Sequence, residues 1–393
     1  MKMRLENNFN DNLNRIKPSP IRSFDQAVSQ IPGIIKLTLG EPDFATPKAV
    51  KEAAKSAIDL DYSHYTHNAG TLNLRETIAD FMSARHQLSY DADTEITVTI
   101  GATEGYAAAL LTVLNPGDCV LIPTPTFPGY EPVVTMAGAE AIHLDTSSTD
   151  FVLSAEQLEA AFATHGERIK AIVLNYPSNP TGVTYTEEEL AALARVLRKH
   201  DVFVIADEIY AELIYDVEHI SIARFLLEQT IVVQGLSKSH AMTGWRVGFV
   251  CAPAYITTEI RKTHQFLVTS TPTMLQVASE VALREAMDAT EEMRQAYQIR
   301  RDIVCDALAS LNMEVAKPNG AFYVFAKIPE DLGLDDNEFC ERLAERAKLA
   351  VIAGSAFGPG GEGYVRISYA ADVETLRYAM NRLSRFLNEK LYL

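Results

Sequence analysis

Gln234-Gly-Leu-Ser-Lys-Ser-His-Ala-Met-Thr-Gly-Trp-Arg-Val-Gly248 sets one lysine, Lys238, eight residues before Arg246, between two apolar runs that read as strands over 230–234 and 246–250. A lysine that works as an amine nucleophile has to be held away from bulk water with its pKa lowered, and an arginine fork suits a doubly charged phosphate ester. A solvated lysine and a surface arginine in a connecting loop are the commoner meaning of an isolated Ser-Lys pair. The rest of the chain decides against that meaning here.

Further strand-like runs lie at 95–100, 118–122, 169–174 and 202–206, alternating with helical patterns. This is the βαβ rhythm, and the near-continuous Val and Ile content implies burial on both faces, hence a mainly parallel sheet. Helix starts are readable at Thr46-Pro47, ahead of 48–60, and in the capping-box spacing Thr186 to Glu189 ahead of 190–197. From about residue 273 the rhythm changes to long helical patterns, a strand at 321–326, a helix near 337–347, strands near 351 and at 364–369, and a terminal helix. The expected fold is therefore α/β: a large domain over 44–280 with a mainly parallel sheet flanked by helices, and a smaller α+β domain from 1–43 and 281–393. Pro18, Pro20 and Pro32 speak against a regular helix in the N-terminal segment.

Composition narrows the function classes. Of 393 residues 47% are hydrophobic and 22% charged, the balance of a globular enzyme. A net charge of -17 without a basic block argues against a nucleic-acid partner. The first residues lack the apolar core of a signal peptide, and no run is long enough to span a bilayer, so the expected address is cytoplasmic with no membrane partner. The 4 cysteines form no C-x-x-C and the 9 histidines no metal-binding spacing, so no metal site is expected.

Four segments could carry chemistry. Ile169-Lys-Ala-Ile-Val-Leu-Asn-Tyr-Pro-Ser-Asn-Pro-Thr-Gly182 is an apolar strand ending in a polar loop, and ligands of open α/β sheets bind at such strand ends. Asn179 could donate to a negative oxygen there, although Asn-Pro is also a common turn. In Val202-Phe-Val-Ile-Ala-Asp-Glu-Ile-Tyr210, Asp207 closes a buried strand and needs a cationic partner such as a protonated ring nitrogen, or else caps a helix; Tyr210 lies three residues on, and Glu208 reads as a structural pair. Ile96-Thr-Val-Thr-Ile-Gly-Ala-Thr-Glu-Gly105 turns through Gly101 into a helix whose first N–H groups, at Ala102 and Thr103, form an anion site. Phe127, after the 118–122 strand, could stack on a flat heterocycle or simply pack. The G-x-G-x-x-G match at Gly358-Pro-Gly-Gly-Glu-Gly363 precedes a strand and contains Pro, so it fails as a dinucleotide fingerprint and reads as a loop delivering Arg366, which could clamp a carboxylate.

Taken together, Asn179-Pro-Thr-Gly182, Asp207 with Tyr210, Ser237-Lys238, Thr243-Gly-Trp-Arg246 and Arg366, along with Gly40-Glu-Pro-Asp-Phe44 and the 65–70 segment, resemble the class I aminotransferases of the aspartate aminotransferase superfamily. Order and spacing match over nearly the whole chain. The resemblance implies the fold type I of pyridoxal-phosphate-dependent transferases and pyridoxal 5′-phosphate as cofactor. By it, Lys238 is the Schiff-base lysine and proton shuttle, Asp207 the partner of the pyridine nitrogen, Asn179 and Tyr210 the ligands of the phenolate oxygen, and Phe127 the stacking ring. Gly101, Ala102, Thr103, Ser237 and Arg246 hold the phosphate, and Tyr65 reaches it from the second subunit of a homodimer. Gly40, Asn179 and Arg366 receive the substrate carboxylate. The implied reaction moves an amino group from an L-amino acid to a 2-oxo acid such as 2-oxoglutarate by a ping-pong route, with an aromatic or broad neutral preference, because aromatic aminotransferases share the 18–22 and 175–179 segments. Two departures stand out: Gly235 replaces a phosphate-binding serine of many relatives, and Thr103 stands where some aspartate-preferring members carry lysine. N-acetyl-diaminopimelate aminotransferase, a β-eliminating C–S lyase and a pyridoxal-phosphate-binding ligand sensor are the alternatives. The sensor lacks support from any helix-turn-helix pattern ahead of residue 40.

Overall fold

The computed structural model describes residues 5 and 8–390. Its strands in chain order are β1 (Ile35–Lys36), β2 (Ile96–Thr99), β3 (Cys119–Thr124), β4 (Glu140–Asp145), β5 (Ile169–Asn175), β6 (Phe203–Asp207), β7 (Thr230–Gly235), β8 (Gly248–Cys251), β9 (Tyr323–Lys327), β10 (Leu349–Ala350), β11 (Ile352–Ala353) and β12 (Tyr364–Ser368). The large sheet runs β2-β8-β7-β6-β5-β3-β4. The pairs β7–β6, β6–β5, β5–β3 and β3–β4 are parallel, while β8 is antiparallel to both β7 and β2. The 234–248 stretch is thus the link between two adjacent antiparallel strands. Every residue of β7 and β8 is buried, as unbroken apolar runs require when helices cover both faces.

β4 is a strand that the sequence reading did not include. Its Glu-Ala-Ile-His-Leu-Asp composition lacks a hydrophobic run, because it is the sheet edge and its residues range from half-buried to exposed. The N-terminal segment also departs from expectation: Pro20–Val28 is a regular helix, with Ser19 as its cap and Pro20 at its first turn. Proline costs nothing there, since that N–H has no intrahelical partner, and Pro18 and Pro32 fall outside the helix. The capping box Thr186/Glu189 is present ahead of Glu187–Leu197. Thr46 does not cap Lys48–Asp59; its hydroxyl donates to the Ala241 carbonyl at 2.7 Å.

Beyond the large sheet, β11-β12-β9 form an antiparallel layer, and β1 pairs in parallel with β10, tying the 35–36 segment to this part of the chain. Helices Met287–Ser310, Asp336–Ala347 and Val373–Asn388 pack on it. All four cysteines are free thiols, with Cys119, Cys251 and Cys340 buried. Among the described residues no cluster could hold a metal ion and no helix is long and apolar enough to cross a membrane.

Candidate active site

The parallel strands present their carboxyl ends to one cleft. β6 ends at Asp207, β5 runs into the Asn175–Asn179 loop, β7 delivers Lys238, and β2 turns into the helix Gly101–Val113. Gly101 makes that turn at φ +71°, and a Cβ on it would lie 2.6 Å from Arg246 Nη2, so only glycine lets the guanidinium reach the helix start. Arg246 itself is exposed and left-handed at φ +56°, and its Nη2 donates to the Thr103 hydroxyl at 3.4 Å. Thr103 is exposed, Ala102 and Phe127 are half-buried, and Ser237 is buried. An open cation beside free helix N–H groups is a dianion cradle.

Lys238 keeps part of its surface open to the cleft while its ammonium end lies among protein atoms, donating to the Gly40 carbonyl at 2.5 Å. Burial brings its pKa down to about 8, helped by Arg246 and Arg366 and opposed by Glu41 and Asp207. The amine is therefore partly neutral near physiological pH, as a nucleophile needs.

Asp207 is 4% exposed, and burial pushes its carboxyl up to about 6. The Tyr130 hydroxyl donates to its Oδ2 at 2.6 Å and the Ile209 N–H to its Oδ1 at 3.2 Å, which limits the rise. No helix begins after Asp207, so the capping alternative falls away. Asn175 steadies two neighbours at once, donating to the Asp207 carbonyl at 3.1 Å and accepting from the Asn179 N–H at 3.0 Å.

Arg366 is 2% exposed, between the rings of Tyr323 at 4.5 Å and Phe357 at 4.8 Å. It donates to Asn179 Oδ1 at 2.9 Å and to the Thr38 carbonyl, and its buried Nε has no partner. A buried donor left free on a positive fork asks for an anion. Tyr210 is buried, with its hydroxyl 2.9 Å from that of Tyr323.

The structure thus brings Lys238, Asp207, Asn179, Tyr210, Arg366 and Gly40 into one contact network, with Arg246, Thr103 and Gly101 forming a second, adjoining group. Tyr65 is 87% exposed. Gly235 has a structural reason: a Cβ there would meet the Val247 carbonyl at 2.9 Å, leaving no room for serine. Tyr130, Tyr323 and Asn175 were not singled out from the sequence. Asn175 lies in the 169–182 segment and Tyr130 three residues after Phe127, but nothing in their spacing distinguishes them from packing residues.

The model of the family described as aminotransferase class I and II matches residues 32–383. The chain belongs to the class I and II aminotransferases. These enzymes depend on pyridoxal 5′-phosphate and act on amino acids and 2-oxo acids. The chain is 45% identical over 98% of its length to a probable N-acetyl-LL-diaminopimelate aminotransferase of Bacillus subtilis, covering 97% of that protein. It is 41% identical over 97% of its length to an aspartate aminotransferase of Pyrococcus abyssi, covering 99% of it. The solved aromatic aminotransferase of Pyrococcus horikoshii superimposes with a TM-score of 0.88 at 40% identity, over 94% of this chain and 100% of that one. The relatives thus agree on amino transfer and on the fold, and differ in substrate.

Proposed function

We propose that this aminotransferase takes its amino group from an L-amino acid with an aromatic or neutral side chain and passes it to a 2-oxo acid such as 2-oxoglutarate in two successive half-reactions. The observation that carries the reading is the Lys238 amine, brought down to a pKa of about 8 by burial and set near Asp207, Arg246 and Arg366. The side-chain preference is supported by the 40% identity to the aromatic aminotransferase of Pyrococcus horikoshii and by Thr103, which stands where some aspartate-preferring members carry lysine. The 45% identity to the Bacillus subtilis protein favours N-acetyl-diaminopimelate as the second reading.

The residues fit pyridoxal 5′-phosphate: a desolvated amine, a buried carboxylate without a cation, an exposed arginine at a glycine-led helix start, and an arginine with a free Nε. We assign Lys238 to the aldehyde, Asp207 to the pyridine nitrogen, Asn179 and Tyr210 to the phenolate oxygen, Phe127 to the ring face, and Gly101, Ala102, Thr103, Ser237 and Arg246 to the phosphate. Bound there, the cofactor supplies a carbonyl for amines and a ring that takes up the electron pair released at the substrate's Cα. Arg366, with Gly40 and Asn179 beside it, orients the substrate by its carboxylate. Lys238, once free, is the base that moves the Cα proton, and its pKa of about 8 suits both taking and returning it. Asp207 stays ionised against the ring's N–H.

A homodimer completes the assignment. Tyr65 and Phe266 are each 87% exposed, Leu60 67% and Ile58 57%. Asn68 donates to Gln265 at 3.3 Å and Thr273 to the His64 carbonyl at 2.6 Å, which brings the segment that carries Tyr65 beside the helix that carries Phe266. Such an apolar patch suits a second copy, whose phosphate Tyr65 would reach.

The deciding experiment adds single amino acids, without any oxo acid, to the cofactor-loaded protein and follows its visible absorbance. Phenylalanine or tyrosine should bleach it, 2-oxoglutarate should restore it, and Lys238→Ala should lose turnover by on the order of 10⁴-fold. Bleaching by diaminopimelate derivatives alone would turn the assignment to the second reading. A protein that takes up no cofactor would end it.

A further inference from the structure

Tyr323 is fully buried on β9, in the antiparallel layer, yet it meets three parts of the proposed site. Its hydroxyl lies 2.9 Å from that of Tyr210, which follows β6 of the large sheet. Its ring carries the Arg366 guanidinium at 4.5 Å. A Cβ on Gly40 would stand 2.3 Å from the Tyr323 oxygen, so the hydroxyl lies against the residue whose carbonyl accepts from Lys238.

Two facing hydroxyls carry two protons, and only one of these can lie between the oxygens. When Tyr323 donates to Tyr210, the Tyr210 proton is left for an acceptor in the cleft. A negative oxygen in the cleft selects that orientation. Hydrogen bonds in series polarise one another in a dry interior, so the second donor is strengthened by the first. The positive fork over the Tyr323 ring acts in the same direction, by making its O–H a better donor.

We propose that Tyr323 is a positioning residue that acts through Tyr210, donating to the Tyr210 oxygen so that the Tyr210 hydroxyl is aimed at, and bonds more strongly to, the phenolate oxygen of the cofactor. This rests on the assignment of Tyr210 made above. A hydrogen bond donated to that oxygen holds its negative charge and lowers the affinity of the neighbouring lysine-linked nitrogen for a proton. The visible absorbance of the loaded enzyme reports that proton.

The test is a pH titration of this absorbance for the wild type, Tyr323→Phe, Tyr210→Phe and the double variant. Tyr323→Phe keeps the ring under Arg366 and should raise the apparent pKa by roughly half a unit to one unit. Tyr210→Phe should raise it further, and the double variant should titrate like Tyr210→Phe alone, since the proposed route from the Tyr323 hydroxyl to that oxygen runs through Tyr210. The KM for the amino donor should stay within about twofold in Tyr323→Phe and rise in Tyr323→Leu, which removes the ring as well. A wild-type titration in Tyr323→Phe, shifts that add in the double variant, or a KM that rises as much in Tyr323→Phe as in Tyr323→Leu would overturn the inference. Failure of the underlying assignment looks different: Tyr210→Phe would then itself titrate like the wild type.

Discussion

Asp207 and Glu208 are consecutive, 4% and 1% exposed, and titrate in opposite directions. Burial raises Asp207 to about 6, because a tyrosine hydroxyl and a backbone N–H do not outweigh the loss of water. Burial also opposes the charge of Glu208, but there it is beaten: His219 lies 3.0 Å away, Ser221 donates at 2.6 Å and Tyr176 at 3.0 Å, with His86 behind them, and the pKa falls. Glu212 belongs with Glu208, lowered to about 2 by His86 and Arg85 despite its burial. The alternation of a strand end sends one carboxylate into the cleft and the next into a finished network. Burial alone does not mark a functional carboxylate; burial with an unmet charge is what nominates Asp207.

Glu208→Ala should destabilise the protein by about 3–5 kcal/mol, because His219, Ser221 and Tyr176 lose a shared buried acceptor; chemical denaturation measures this, and kcat per folded molecule should stay close to the wild type. A kcat that collapses with the fold intact would move Glu208 into the working site. Asp207→Asn should do the reverse, lowering kcat by about 10²- to 10³-fold while stabilising the cofactor-free protein at pH 7 by about 1–3 kcal/mol.

The sign follows from the proton count. Asp207 rises on folding from 3.8 to about 6, so the cofactor-free native state binds more protons than the unfolded chain in that window, and stability falls as pH rises through it. Over about two units this amounts to about 3 kcal/mol. Glu212 drops to about 2, so its contribution is full above pH 4.5 and is lost as pH falls from there toward 2. Melting temperatures of wild type and Asp207→Asn between pH 4 and pH 7 should therefore diverge as pH rises. Parallel curves would contradict the assignment of an unmet charge to Asp207. The smallest effect is expected for Tyr130→Phe, which removes one donor from Asp207 and should raise its pKa by about one unit, read by NMR of the cofactor-free protein.

How far the sequence could be read follows from what each residue answers to. The placement of Lys238, Asp207, Asn179 and Arg246 at one edge of the sheet was legible, because each stands at the end of an apolar strand or in a loop joined to one. β4 was not, because an edge strand needs no hydrophobic run. The Pro20–Val28 helix was hidden by prolines that sit at and outside its first turn, where they cost nothing. Tyr323 and Tyr130 gave no signal, since a buried tyrosine on a strand or in an aromatic loop looks the same whether its hydroxyl meets another core group or a carboxylate of the cleft.

Local pattern by itself determined the α/β class, the parallel sheet and the residues at its carboxyl edge, because hydrophobic periodicity and the chemistry of strand-to-helix turns act over neighbouring residues. Tertiary packing is what leaves Asp207 short of partners while Glu208 is supplied with them, keeps Arg366 Nε free, and brings Tyr323 across from the second sheet to Tyr210. Those outcomes depend on which groups, from 11 to 187 residues apart in the chain, come within hydrogen-bond distance of one another, and desolvation, the largest influence on each of these charges, is set by the whole fold.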